Sequence, residues 1–204
     1  MCEVVTIRSA IRREVASIEP LDELEKIHQA DALTWIDSGA PLCRTAKPAT
    51  PPKHLVSYLA VVDNDNILLV DHRSAKLWLP PGGHVEPGEH PRETVRRELF
   101  EELKVVAGHE ITEPLMVTCT TTVGLSAGHA DVSLWYVVRA DRTESIEFDR
   151  EEFAGVRWFE FADVALRRSD PHMGRFLMKL TSRSAGTKQP DAPGNSAVTR
   201  CLLG

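Results

Sequence analysis

The segment from Leu79 to Val105, LPPGGHVEPGEHPRETVRRELFEELKV, restricts this chain more than any other. Pro80, Pro81, Gly82 and Gly83 read as a loop. Pro91 suits the first turn of a helix, where its missing amide donor would have had no partner. The spacing predicts a helix from about Pro91 to Leu103. At ~100° per residue, Glu98, Glu101 and Glu102 share one face, and Val95, Leu99 and Leu103 form the adjoining apolar stripe. The acids therefore border the buried side. Carboxylates held that close repel one another, and a hard divalent cation such as Mg²⁺ or Mn²⁺ would relieve the repulsion. Taken alone, the same residues also describe a solvated helix whose glutamates pair with Arg92, Arg96 and Arg97.

The neighbouring positions favour the metal reading. Gly83, Glu89, Arg97, Glu98, Leu99, Glu101, Glu102 and Val105 fit the pattern G-x5-E-x7-R-E-U-x-E-E-x-G-U, with U aliphatic, so the segment resembles the Nudix box. Lys104 departs from it, standing where the family places glycine. Left-handed backbone at a lysine costs about 1 kcal/mol, so Gly108 is an alternative end for the helix. The flanking strand pattern extends the resemblance over about residues 53–181.

The resemblance implies an α/β fold, a Nudix-type α/β/α sandwich around a mixed sheet. It also implies hydrolysis of a nucleoside diphosphate linked to another moiety, by in-line attack of metal-activated water. Residue by residue, it implies Glu98, Glu101 and Glu102 as metal ligands, the Gly82 carbonyl as a further ligand, Arg97 as the group that orients them, and Glu89 and Gly83 as support. From a later loop, Glu152 in FDREEFAGVRWFEF is expected to reach the metal as ligand or base, in preference to Glu151. Arg44, His84, His129 and Asp131 are weaker candidates for substrate contact. The expected cofactor is Mg²⁺ or Mn²⁺, and the expected partner a small nucleotide. A (deoxy)nucleoside triphosphate comes first, with ADP-ribose, nucleotide sugars and dinucleotides left open. The alternative of another class is a nucleotide-binding regulatory module without turnover, which the complete set of box acids disfavours.

Outside that segment, Ile7, Ile11, Val15 and Ile18 recur at helical spacing, and Leu21, Leu24, Ile27 and Asp31 continue a second phase after Pro20. A helical hairpin is expected, then a proline-rich connection through KPATPP, so that residues 1–52 form an extension and 53–181 the domain. The hairpin is open to three readings: a lid, a homodimer contact or a brace. HLVSYLAVV and NILLVDH flank a turn-rich tetrad and predict an antiparallel pair. Strands are expected at Leu115 to Val123, Ala130 to Arg139 and Val156 to Phe161, with short helices near 162–168 and 171–181. Residues 182–204 are small, polar and proline-containing, and are expected to be disordered. Formal net charge is −6, which argues against long nucleic acid as partner. Cys2, Cys43, Cys119 and Cys201 form no C-x-x-C pair, and no apolar run approaches a membrane span, so a cytoplasmic chain with reduced thiols and no membrane partner is expected.

Overall fold

The computed structural model describes residues 6–47, 50–105, 111–122 and 128–186, with backbone alone for 184–186. Helices α1 (Ile7–Ser17) and α2 (Glu23–Asp37) form the expected hairpin. Thr6 and Asp22 cap them, each side chain accepting from the amide three residues on. Helix α1 buries Ile11 and Val15, as its period requires. In α2 the structure corrects the sequence reading. Leu21, Leu24 and Ile27 are exposed, at 37%, 42% and 63%, while the buried face carries Glu25, His28, Ala32 and Ile36. The cause lies far along the chain. The fully buried Glu25 carboxylate pairs with the buried Lys179 ammonium of the last helix, so a charge pair occupies the inner face.

The sheet comprises β1 (Lys53–Asp63), β2 (Asn66–His72), β3 (Leu77–Leu79), β4 (Gly82–His84), β5 (Met116–Thr121), β6 (Ala130–Arg139) and β7 (Phe153–Glu160). Its main path is β3-β2-β1-β6-β5, with β4 on β1 and β7 on β2. Strands β1 and β6 run parallel in unbroken register from Lys53↔Ala130 to Val62↔Arg139, and the other pairings are antiparallel, so the sheet is mixed. The expected β1–β2 pairing is confined to the turn, at Val62↔Ile67 and Asp63↔Asn66. Beyond it the strands part, β1 taking β4 and β2 taking β3 on the edges thus freed. Pro80 and Pro81, which lack amide donors, bridge β3 to β4 across the wedge.

One core cluster packs sheet residues such as Leu55, Leu59 and Tyr136 against α1, α2 and the helix α3 (Pro91–Leu103). A second packs Ala60, Val62, Trp135 and Phe159 against Met173, Phe176 and Leu180 of α4 (Met173–Gly186). The alternation along β1 thus serves helices on both faces. The hydrophobic core runs across residue 52, since Ile11, Val15, Ile18, Ala32 and Ile36 belong to the first cluster. Polar contacts follow suit: Tyr136 Oη donates to Glu14 at 2.8 Å, and Arg92 Nη2 to the same carboxylate at 3.0 Å.

The short helix expected near 162–168 is two single 3₁₀ turns, Phe161–Asp163 and Leu166–Arg168. Helix α4 continues to Gly186, beyond Thr181. Residues 187–204 of the expected tail, and Gly108, lie outside the described residues. Among those described, no helix is long and apolar enough to cross a membrane.

Removing one member of a buried ion pair leaves the other uncompensated, at a cost of about 3–5 kcal/mol. Glu25→Gln should therefore lower unfolding free energy in urea by roughly 3 kcal/mol. The double substitution Glu25→Leu with Lys179→Met should recover most of it. A Glu25→Gln loss below about 1 kcal/mol would show that the pair does not hold α2 to α4.

Candidate active site

A cavity of about 570 Å³ opens where β1 and β2 part. Glu98 and Glu102 of α3, Glu152 before β7, and Gly82, Gly83 and His84 of β4 line it, as do Arg44 and Lys47. The helix begins where the sequence requires. Pro91 takes its first position, and the His90 ring accepts the Arg92 amide as cap. It ends at Leu103, because Lys104 itself adopts the left-handed conformation, φ 55° and ψ 21°. The Lys104 amide donates to Phe100 O at 3.0 Å and the Val105 amide to Leu99 O at 3.2 Å, closing the helix as a glycine would. The helix thus stops at Leu103 and does not run on through Lys104.

Arg97 organises the carboxylates. Its guanidinium donates to Glu89 Oε1 at 3.1 Å and Oε2 at 3.2 Å, to Glu98 Oε1 at 2.7 Å, to Glu101 Oε2 at 3.3 Å and to the His84 carbonyl at 3.1 Å. Burial works against its charge, but Glu89 and Glu98 outweigh burial and raise its pKa. Burial likewise opposes the Glu89 charge. Arg97, the Glu86 amide and Thr94 nonetheless hold that carboxyl below the usual range. Glu89 thus closes the loop ahead of α3, accepting from the Glu86 amide at 3.0 Å and from Thr94 Oγ1 at 2.7 Å.

Close approach of backbone explains the paired glycines. A Cβ on Gly83 would overlap the Glu98 carboxylate, and one on Gly82 would overlap Ser57 O in β1. Gly82 sits at φ +148°, and its amide donates to Glu102 Oε2 at 2.8 Å. Its place in strand β4 corrects the expected loop there.

Glu102 is 4% exposed and Glu98 8%. Burial, then the charges of Glu98 and Glu152, push the Glu102 carboxyl up to about 9. Burial also raises Glu98, against the pull of Arg97. Carboxyls buried against one another are poor anions without a cation, and their oxygens suit a hard divalent ion. The donor set therefore fits the Mg²⁺ or Mn²⁺ expected from the sequence. Glu101 stands apart: its side chain is 55% exposed, tied to Arg97, and lies outside the cavity lining.

Of the two acids in the later loop, Glu152 lines the cavity and Glu151 does not. Glu152 Oε1 lies 3.4 Å from His72 Nε2, and the Glu152 carbonyl accepts the Arg73 amide at 3.0 Å. The other candidates divide. Arg44, His84 and Asp131 line the cavity, whereas His129 is 6% exposed and turns toward His54 and Asp131 behind it. Sequence reasoning missed His54, His72 and Lys47. His54 and Asp131 become neighbours through the β1–β6 register, a long-range pairing without local signal.

The family model described as NUDIX domain matches residues 53–180. A MutT-like protein of Streptomyces ambofaciens is 27% identical over 144 residues, covering 70% of this chain and 87% of that one. Among solved structures, a C. elegans Ap4A hydrolase binary complex superposes with TM-score 0.54 and 22% identity, over 65% of this chain and 98% of that one. The E. coli dihydroneopterin triphosphate pyrophosphohydrolase does so with TM-score 0.51 and 14% identity, over 61% and 94%. At such identities the two structures establish a shared fold.

The left-handed Lys104 supplies a direct test. Lys104→Gly should raise unfolding free energy by about 0.5–1 kcal/mol, the strain relieved exceeding the loss of a cation at the helix end. Lys104→Ala, which keeps the Cβ, should give no gain. Equal stability of the two variants would contradict the strain.

Proposed function

Since the chain belongs to the Nudix hydrolase family, we propose that it cleaves the diphosphate linkage of a nucleoside diphosphate derivative, with a (deoxy)nucleoside triphosphate as the leading substrate class. The observation that carries the reading is the convergence of Glu98, Glu102 and Glu152 on one cavity that Arg44 and Lys47 also line. Acids alone would repel a diphosphate. Here the cationic side chains receive its phosphates while the acids hold its counter-ions.

A divalent cation bound there would neutralise phosphate charge and lower the pKa of a coordinated water. Glu98 and Glu102 would hold it, with Glu101 reaching in from the rim and the Gly82 carbonyl as a further donor. Arg97 keeps Glu98 in one rotamer, and the Gly82 amide does the same for Glu102. Glu152 would take the proton of the attacking water. The water oxygen bonds to one phosphorus as the bridging P–O bond breaks, and the departing phosphate leaves along the line of attack. Support for Glu152 as base comes from its position on the cavity, near His72 and with half of its surface in solvent, where a proton can be passed on.

The purified protein, screened with Mg²⁺ and with Mn²⁺, should hydrolyse at least one of the nucleoside triphosphates, ADP-ribose, nucleotide sugars, dinucleoside polyphosphates or coenzyme A. On that substrate Glu102→Gln should lower kcat by orders of magnitude, roughly the several kcal/mol a metal supplies to the transition state. Glu152→Gln should lower kcat strongly and Glu151→Gln little, with all three variants folded. No turnover across the screen would overturn the enzyme reading. Near-normal rates for Glu102→Gln at saturating Mg²⁺ would overturn its ligand role, and equal rates for the two loop variants would remove Glu152.

A further inference from the structure

Three imidazoles and one carboxylate converge at one side of the cavity, which His84 and Asp131 themselves line. His54 starts β1, His84 ends β4, and His129 and Asp131 lead into β6. His54 Nε2, His84 Nε2 and Asp131 Oδ1 are buried without a hydrogen-bond partner. One donor atom from each of the four residues lies within 4.8 Å of every other. The His54 ring stacks on His129 with centroids 5.0 Å apart, and lies tilted against His84 at 4.9 Å.

The outer hydrogen bonds hold two of the rings. His54 Nδ1 lies 2.9 Å from Pro51 O, which can only accept, so Nδ1 carries a proton. His129 Nδ1 lies 3.1 Å from Thr122 Oγ1, a hydroxyl that can serve a ring nitrogen as donor or as acceptor. The inward-facing Nε2 atoms of both rings lie 3.2 Å and 3.4 Å from the same Asp131 oxygen, without hydrogen-bond geometry. Buried polar atoms left without partners are costly, and a cation among these atoms would satisfy them together.

We propose that His54, His84, His129 and Asp131 form a second metal site, nitrogen-rich and separate from the carboxylates of α3, that takes a borderline divalent cation such as Zn²⁺. Three imidazoles and one carboxylate suit Zn²⁺ or Co²⁺ and not Mg²⁺, which prefers oxygen alone. Bonds of about 2.1 Å in a tetrahedron separate the ligand atoms by about 3.4 Å, close to the spacings around Asp131. The Nδ1 contacts to Pro51 and Thr122 are the outer bonds that orient metal-bound imidazoles. Four protein donors complete the shell, so the site is of the structural type. Its ion ties β4 to β1 and β6, and so fixes Gly82 and Gly83, on which Glu102 and Glu98 rest.

The test uses full-length protein stripped with chelator and then given Zn²⁺, and needs no turnover. It should retain one equivalent of Zn²⁺ through desalting. With Co²⁺ it should show the intense visible bands of a four-coordinate ion, bleached by one equivalent of Zn²⁺. Asp131→Asn and His54→Asn should weaken Zn²⁺ binding at least tenfold; the latter removes Nε2 yet leaves a donor near Pro51 O. The double variant Glu98→Gln with Glu102→Gln should keep its Zn²⁺. Should either histidine-site variant fail to fold, the Co²⁺ spectrum of the unaltered protein decides. A stripped protein that retains no Zn²⁺, gives only the faint spectrum of six-coordinate Co²⁺, or loses its Zn²⁺ with the two glutamates overturns the proposal.

Discussion

The fork of Arg97 meets Glu89, Glu98, Glu101 and the His84 carbonyl at once, and the cavity is arranged around that meeting. Through Glu89 it closes the loop that leads into α3. Through His84 it binds α3 to β4, whose two glycines let the helix carboxylates approach the strand. A lysine could not replace it, since one ammonium lacks the planar fork that serves several acceptors in fixed directions. The arrangement also concentrates negative charge where water is scarce. Glu98 and Glu102 are tolerated there because guanidinium and amide donors hold them, and a cation would complete the balance.

The helical hairpin is part of that arrangement through packing. Ile11 and Val15 lie in the same cluster as Val95 and Leu99 of α3, and Glu14 joins Arg92 of α3 to Tyr136 of β6. The back of the carboxylate helix is thus built partly from residues outside the stretch that the family model covers. On the far side of the chain, Glu25 and Lys179 bind the hairpin to α4.

Much of this was legible in the sequence wherever the signal was local. Helix α3 has the predicted bounds because Pro91, the acid spacing and the Val95–Leu99–Leu103 stripe all act within one element. Strand β6 likewise begins at Ala130 and ends at Arg139, as its pattern indicates. Strands β3 and β4 were not legible, since three residues around Pro80 and Pro81 carry no period, and their pairing is decided by where β1 and β2 part. The face of α2 was misread because its buried Glu25 answers a lysine 154 residues away. Lys104 resolved against propensity: the contacts of α3 with the sheet hold the helix end where lysine must accept left-handed backbone. Glu152 was legible as a loop acid near β7, whereas His54 gained significance only through register with Asp131.

The buried pair Glu98 and Glu102 has the chemistry to hold a cation in the cavity. Titration of the free protein with Mn²⁺, followed by electron paramagnetic resonance of the unbound ion, tests it without a substrate. Saturable Mn²⁺ binding is expected, lost in Glu98→Gln with Glu102→Gln and retained in Glu151→Gln. Binding of equal strength in the double variant and the unaltered protein would contradict it.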